Sequence, residues 1–162
     1  MTGINFTPFP ILTTDRLFLR QIEMKDMDEF FLLKSDERLL IGYDAQPRTY
    51  EQAISKLQEL NMDIAANESI TWGITLKNEN RLIGSICYWN ISPLMNKAEI
   101  GYELMVDWQG KGIMLEAAKK IIEYGFEVMG FKVIEAVLNP NNSNSIKLLE
   151  INGFIREQIP AG

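Results

Sequence analysis

The residues able to do chemistry in this chain are few, and what is missing narrows them further. The 162 residues include no histidine and a single cysteine. That excludes Ser-His-Asp triads, Cys-His dyads, His-ligated zinc, internal disulfides and Cys-rich metal centres. Cys87 lies in an apolar strand pattern and is expected to be an inert core thiol. Carboxylates, serine, tyrosine, lysine and backbone groups remain. Glu99 and Glu103 stand out among them, because residues four apart on a strand share a face at a separation of about 13 Å. Both could line one cleft, but they could not share one proton. Two solvated strand carboxylates would have the same spacing.

A second candidate is a backbone feature. Gly110 and Gly112 sit between a strand ending near Val106 and a helix starting near Lys111. A helix N-terminus presents unpaired N–H groups and partial positive charge, and glycines let a ligand approach the backbone closely. The place suits a pyrophosphate, with Lys111 adding a cation. A tight strand-to-helix turn that needs glycine only for its dihedrals is the competing explanation. Two other phosphate motifs fail: a P-loop needs Lys-Ser/Thr where Ile113 follows Gly112, and a G-x-G-x-x-G turn needs a third glycine where Leu115 stands.

These residues must be positioned by regular elements. Arg16 to Ile22 reads as a first strand, and Asp26 to Lys34 as a helix opened by acidic residues. Thr49 can cap a second helix with Gln52 in the capping-box position, continued by Ile54, Leu57 and Ile64. Ile70, Trp72, Ile74 and Leu76 alternate with polar or small residues, predicting a half-buried strand. A turn at 77–80 leads to a returning strand from Arg81 to Trp89, and Ala98 to Met105 forms a third, giving an antiparallel meander. The period then changes. Ile113, Ala117, Ile121, Tyr124 and Val128 recur at helical spacing between Lys111 and Met129. A short strand from Val133 to Leu138, a helix from Ser143 to Asn152 ended by Gly153, and a further strand beginning at Phe154 to Glu157 complete the pattern. The fold class is α/β, a mixed and mostly antiparallel sheet with helices on both faces, in one domain over residues 1–162.

Two stretches make the sequence recognisable. Ala98-Glu99-Ile100-Gly101-Tyr102-Glu103-Leu104, followed by Trp108-Gln109-Gly110-Lys111-Gly112-Ile113-Met114-Leu115-Glu116-Ala117, resembles the acetyl-CoA-binding motif of GNAT acetyltransferases, R/Q-x-x-G-x-G/A. Gln109 and Gly112 match it, and Met114 replaces the final small residue. About thirty residues later, Asn139 to Phe154 resembles the family's N-x-x-S-x-[RK]-x-L-x-x-x-G-F motif. With Thr14-Asp15-Arg16-Leu17-Phe18-Leu19-Arg20 at the start, the resemblance spans nearly the whole chain. It is nearest the RimJ/RimL-like branch, the ribosomal-protein N-terminal acetyltransferases.

The resemblance implies an acetyl-CoA-dependent N-acetyltransferase. Acetyl-CoA would be the co-substrate, and the acceptor a protein N-terminus or a small amine attacking directly in a ternary complex. Backbone amides from Gly110 to Leu115, among them those of Lys111, Gly112, Ile113 and Met114, would wrap the pyrophosphate, with Gln109 and Asn142 in the same site. Tyr102, Glu103 and Leu104 would hold the pantetheine through their backbone. Glu99 occupies the position of the general base in the histone-acetylating branch, with Glu103 the second choice. The tyrosine that many members carry at Leu149 and the glutamate that one branch carries at Val137 are both replaced. The RimL-like branch instead uses the serine aligned with Ser145 to stabilise the leaving thiolate. Asn142 and Ser145 would also be ordinary residues at the start of a helix. After Phe154 the family continues through a strand hairpin that shapes the acceptor cleft, and this sequence ends at Gly162, so the hairpin is expected to be truncated or supplied by a partner protomer. A non-catalytic acyl-CoA-binding or sensor domain of the same fold is the alternative.

Composition sets the surroundings. The net charge of −6 disfavours nonspecific nucleic-acid binding. No apolar run approaches the roughly 18–20 residues of a membrane helix, and no secretory signal precedes the first strand. A cytoplasmic protein, monomer or homodimer, with no metal and no membrane association, is expected. Tyr43, Asp44 and Tyr50, in or beside the loop between the first two long helices, are candidates for the acceptor site.

Overall fold

The structure, a computed structural model, describes residues 4–40, 46–137 and 142–155. Its strands are β1 (Leu12–Thr13), β2 (Leu17–Arg20), β3 (Ile70–Leu76), β4 (Glu79–Ser92), β5 (Lys97–Leu104) and β6 (Val133–Glu135), and they lie side by side in sequence order. Pairing is antiparallel from β1 through β5 and parallel between β5 and β6. The connections explain this. Short turns at Lys77–Asn78 and 93–96 reverse the chain, whereas β5 reaches β6 through a helix, the crossover that a parallel pair requires. The helices are α1 (Met27–Ser35), α2 (Glu37–Leu40), α3 (Tyr50–Ala65), α4 (Ile113–Glu127) and α5 (Ser143–Ile151).

Each face of the sheet carries its own apolar layer. On one side Ile113, Ala117, Ala118 and Ile121 of α4 pack on Trp72, Ile86, Tyr88, Ala98 and Ile100. On the other, Met27, Phe30 and Leu33 of α1 meet Ala53 and Leu57 of α3 over Ile22 and Leu82. The α3 start follows its capping box: the Gln52 N–H donates to Thr49 Oγ1 at 3.1 Å, and the Thr49 N–H donates to Gln52 Oε1 at 2.9 Å. α4 comes unusually close to β4. A Cβ on Gly125 would lie 2.9 Å from Tyr88 Cζ and closer still to its hydroxyl. That hydroxyl donates to the Ile121 carbonyl at 2.7 Å, so a buried polar group is satisfied in the same contact.

Three sequence expectations change. β3 is buried on both faces, not one, since Thr71 and Thr75 are buried with their apolar neighbours. Helices cover both sides of this central strand, and the Thr75 hydroxyl is satisfied by the Phe18 carbonyl at 2.8 Å. β6 stops at Glu135, because beyond that residue it no longer runs beside β5. Phe154 and Ile155 are not strand, and residues 156–162 lie outside the described residues.

Candidate functional site

The divergence of β5 from β6 creates the opening from which the site is built. The two strands pair only at Lys97↔Val133, Ala98↔Ile134 and Glu99↔Glu135, while the ladder between β4 and β5 continues to Gly84↔Leu104. From Ile100 to Leu104, therefore, β5 has β4 on one edge and no strand on the other among the described residues. Gly101, Tyr102 and Glu103 lie in this splayed stretch. The Leu104 carbonyl is taken by Gln109 Nε2 at 2.9 Å, so the Gln109 side chain ties the end of the strand to the loop that follows.

That loop delivers the chain to α4 through a 3₁₀ turn at Val106–Trp108 and two residues in the left-handed region, Gly110 at φ +76 and Gly112 at φ +75. Gly112 is the N-cap of α4 and provides no side-chain cap, which leaves the N–H groups of Ile113, Met114 and Leu115 without intrahelical acceptors. A Cβ on Gly110 would meet nothing within 4 Å, so the loop is open at that point. The arrangement is a concavity of backbone donors suited to an anion. Ile113 and Met114 are buried in the core, so the bulk of Met114 points inward and only its backbone faces the loop. The Lys111 ammonium lies 5.5 Å from the centre of the Trp108 ring.

A clamp from the link between β1 and β2 holds this loop, and only its Thr14-Asp15-Arg16-Leu17 sequence hinted at it. Glu116, in the first turn of α4, accepts from the Thr14 hydroxyl, from the Arg16 N–H at 2.9 Å and from Arg16 Nε at 2.7 Å. Arg16 Nη1 also donates to the Lys111 carbonyl at 3.0 Å. The guanidinium thus sits on the carbonyl side of the loop and leaves the N–H side clear. Burial alone would raise the Glu116 pKa, but the hydrogen bonds from Thr14 and Arg16 outweigh it and hold the carboxyl below its ordinary value.

α5 closes the far side of the opening. Asn142 is its N-cap, accepting the Ser145 N–H on Oδ1 at 3.3 Å, so its amide oxygen serves the helix. The Tyr102 hydroxyl reaches across the gap to the Ser145 carbonyl at 3.4 Å. Tyr102 and Ser145, 43 residues apart in sequence, are brought together there beside Asn142.

The opposite face of the sheet bears a cleft of about 920 Å³. Ser85, Cys87, Gly101 and Glu103 lie on its strand side, Lys34 and residues 46–48 on its wall, and Gln52, Ser55, Lys56 and Glu59 along one face of α3. Glu103 Oε1 accepts from Lys34 Nζ at 2.6 Å and from the Ser85 hydroxyl at 3.4 Å. No partner for Oε2 occurs among the described residues, and no buried side-chain oxygen among them lacks one, so Oε2 is open to the cleft. Glu99 shares this face of β5 but does not line the cleft. It lies where β5 and β6 part, accepting from Asn90 Nδ2 at 3.0 Å.

Two sequence expectations need revision here. Cys87 is half-buried on the cleft wall, not sealed in a core, although burial still pushes its thiol up to about 11. Tyr50 does not line the cleft. Its hydroxyl donates to Asp28 at 3.2 Å and its ring meets Phe31 edge-on. Tyr43 and Asp44 lie outside the described residues. Lys34, Ser85 and the Arg16 clamp were missed, because salt bridges between distant segments leave no local pattern. The polar α3 face was accessible, since Gln52, Ser55, Lys56 and Glu59 follow i, i+3, i+4, i+7 spacing.

Comparison with known proteins agrees with this geometry. Residues 16–155 match the acetyltransferase (GNAT) domain. The uncharacterized N-acetyltransferase YoaA of Bacillus subtilis is 35% identical over 93% of this chain and 86% of its own length. The [ribosomal protein uS5]-alanine N-acetyltransferase of Escherichia coli is 26% identical over 90% of this chain and 78% of its own. The structure of spermidine N-acetyltransferase from Vibrio cholerae, in complex with CoA and spermine, shares the fold, with a TM-score of 0.79 over 90% of this chain and 84% of that one at 21% identity.

Proposed function

The chain belongs to the GNAT acetyltransferase family, and from that premise we propose that it transfers an acetyl group from acetyl-CoA to a primary amine. The observation that carries the reading is the splayed edge of β5 beside the uncapped start of α4. One offers backbone groups to an extended pantetheine, the other backbone N–H groups to a pyrophosphate. Backbone groups of both kinds are present, the Leu104 carbonyl excepted because Gln109 holds it, so the residues fit the coenzyme. When bound, it supplies an acyl thioester.

The chain's own groups divide the remaining work. Gly110 to Leu115 hold the phosphates through their amides, with Gln109 fixing the loop against Leu104 and Asn142 fixing the start of α5. Tyr102, Glu103 and Leu104 lie along the pantetheine. Glu103 is the base best supported by position, because its open Oε2 faces the cleft and can take the proton of the incoming ammonium. Glu99, at the apex of the opening, is the other carboxylate on this face. The Ser145 hydroxyl stabilises the departing sulfur while the amine nitrogen bonds the acyl carbon and the C–S bond breaks. A RimJ/RimL-like assignment, with a protein N-terminus as acceptor, draws support from the ribosomal relative. A small amine draws support from the spermidine enzyme of the same fold. Work in the cytoplasm as a single domain is part of the same proposal; among the described residues no helix is long and apolar enough to cross a membrane.

Calorimetric titration with acetyl-CoA, followed by thiol release over amines and N-terminal peptides, tests this reading. Glu103→Gln is expected to lower kcat by about 10²–10⁴-fold with coenzyme affinity retained. Glu99→Gln tests the competing base, and Ser145→Ala tests the leaving-group role. Absence of coenzyme binding at millimolar concentration would refute the proposal, and undiminished turnover in all three variants would refute the residue roles.

A further inference from the structure

We infer that the acceptor taken by the cleft is a small amine that also carries one anionic group, a carboxylate or a phosphate; this rests on reading the cleft as the acceptor site. The chain as a whole bears a net charge of −6, but that surplus is not in the cleft. There Lys34, Arg48 and Lys56 face Glu51, Glu59 and Glu103, three cations against three carboxylates. Most of these charges are already matched. Lys34 pairs with Glu103 at 2.6 Å, and Lys56 lies 3.8 Å from Glu59. Glu51 occupies the first turn of α3, where the helix N-terminus compensates a carboxylate.

Arg48 is the cation left over. Its guanidinium has no hydrogen bond or ion pair among the described residues, while its backbone N–H is anchored to the Lys34 carbonyl at 3.1 Å. The wall segment that carries Arg48 is thereby fixed to the residue that pairs with Glu103. On the sheet side, the open acceptor is Glu103 Oε2. One open carboxylate oxygen and one uncommitted guanidinium complement a ligand with one ammonium and one anion. A polyamine would bring further ammonium groups against Arg48 and Lys56, at a like-charge cost. An uncharged alkylamine would leave Arg48 unused.

The test compares acceptors of matched length in the thiol-release assay: ω-amino carboxylates of two to six carbons, aminoalkyl phosphates, n-alkylamines and α,ω-diamines. The anionic amines are expected to exceed the alkylamines and diamines in kcat/KM by tenfold or more, and the carboxylate and phosphate arms identify which anion is preferred. In Arg48→Gln that preference should collapse to within about twofold, through a rise in KM for the anionic amines. Diamines turned over as well as amino acids, a peptide N-terminus outpacing every anionic amine, or an unchanged preference in Arg48→Gln would each overturn the inference. Saturation-transfer NMR of 4-aminobutyrate and n-butylamine with the coenzyme-free protein separates it from the broader reading. Selective binding of 4-aminobutyrate, lost in Arg48→Gln, would uphold the acceptor class even if acetyl-CoA failed to bind. Equal binding of the two amines would overturn the acceptor class even if acetyl transfer occurred.

Discussion

Cys87 and Glu103 sit on neighbouring strands of the same cleft wall, yet burial and pairing give them different chemistry. Burial raises the Cys87 thiol to about 11, with the Lys34 ammonium opposing weakly, so it stays protonated at neutral pH. Since only the thiolate is nucleophilic, alkylation by iodoacetamide should be slow at pH 7 and accelerate about tenfold per pH unit up to about 11, followed by mass spectrometry. Fast labelling at pH 7 would contradict this environment. Glu103 is held by Lys34 and Ser85 on one oxygen and free on the other, so it stays oriented while one oxygen remains available. A cleft position was readable as a possibility for Glu103, from its four-residue spacing to Glu99, but not for Cys87. The strand alternation puts Cys87 and Glu103 on one face, but it does not say whether that face meets a helix or an opening.

The loop before α4 works only if its dihedrals and its clamp both hold. Gly112→Ala would force a side chain into the left-handed region, costing about 1–2 kcal/mol, and would place a Cβ 3.4 Å from Arg16 Nη2. Glu116→Gln keeps the shape of the side chain but removes the charge that gathers Arg16 and Thr14. The expected outcome is a rise in KM for acetyl-CoA of about tenfold, with kcat changed much less, because the clamp positions the donors without touching the acceptor. An equal loss in kcat alone would argue against a positioning role. Further along the same helix, Gly125→Ala should destabilise the fold by about 1–3 kcal/mol in urea unfolding. The new methyl would run into the Tyr88 ring and Ile134 Cδ1 at 3.1 Å, and both are anchored in the core.

For the whole molecule, acid stability depends on a buried pair that is not part of the cleft lining. Arg20 Nη1 and Nη2 donate to the two oxygens of Asp26, each at 2.8 Å, and the Glu23 N–H adds a third bond. Burial pushes the Asp26 pKa up, but the bonds from Arg20 and Glu23 win and leave it below the ordinary 3.8. A depressed carboxylate contributes stability in full above its unfolded value, and that contribution is lost as the pH falls through the folded value. Thermal unfolding should therefore keep its midpoint down to roughly pH 4 and lose it below. Asp26→Ala should lower stability at pH 7 by about 3–5 kcal/mol, since it strands a buried guanidinium, and should flatten the acid-dependent step. A midpoint independent of Asp26 at pH 7 would contradict this account.

The sequence by itself determined most of the elements, their order along the chain and the Gly110/Gly112 loop, but not β1, α2 or the end of β6. Hydrophobic period, the Thr49–Gln52 cap and the Gly110/Gly112 spacing are local, and local patterns are fixed by neighbouring residues along the chain. Only the tertiary structure decided where β5 leaves β6, which of two like carboxylates meets the cleft, and that Arg16 reaches the turn before Glu116. These depend on contacts between segments up to a hundred residues apart. Their partners are set by the twist and packing of the sheet, which no window of sequence contains.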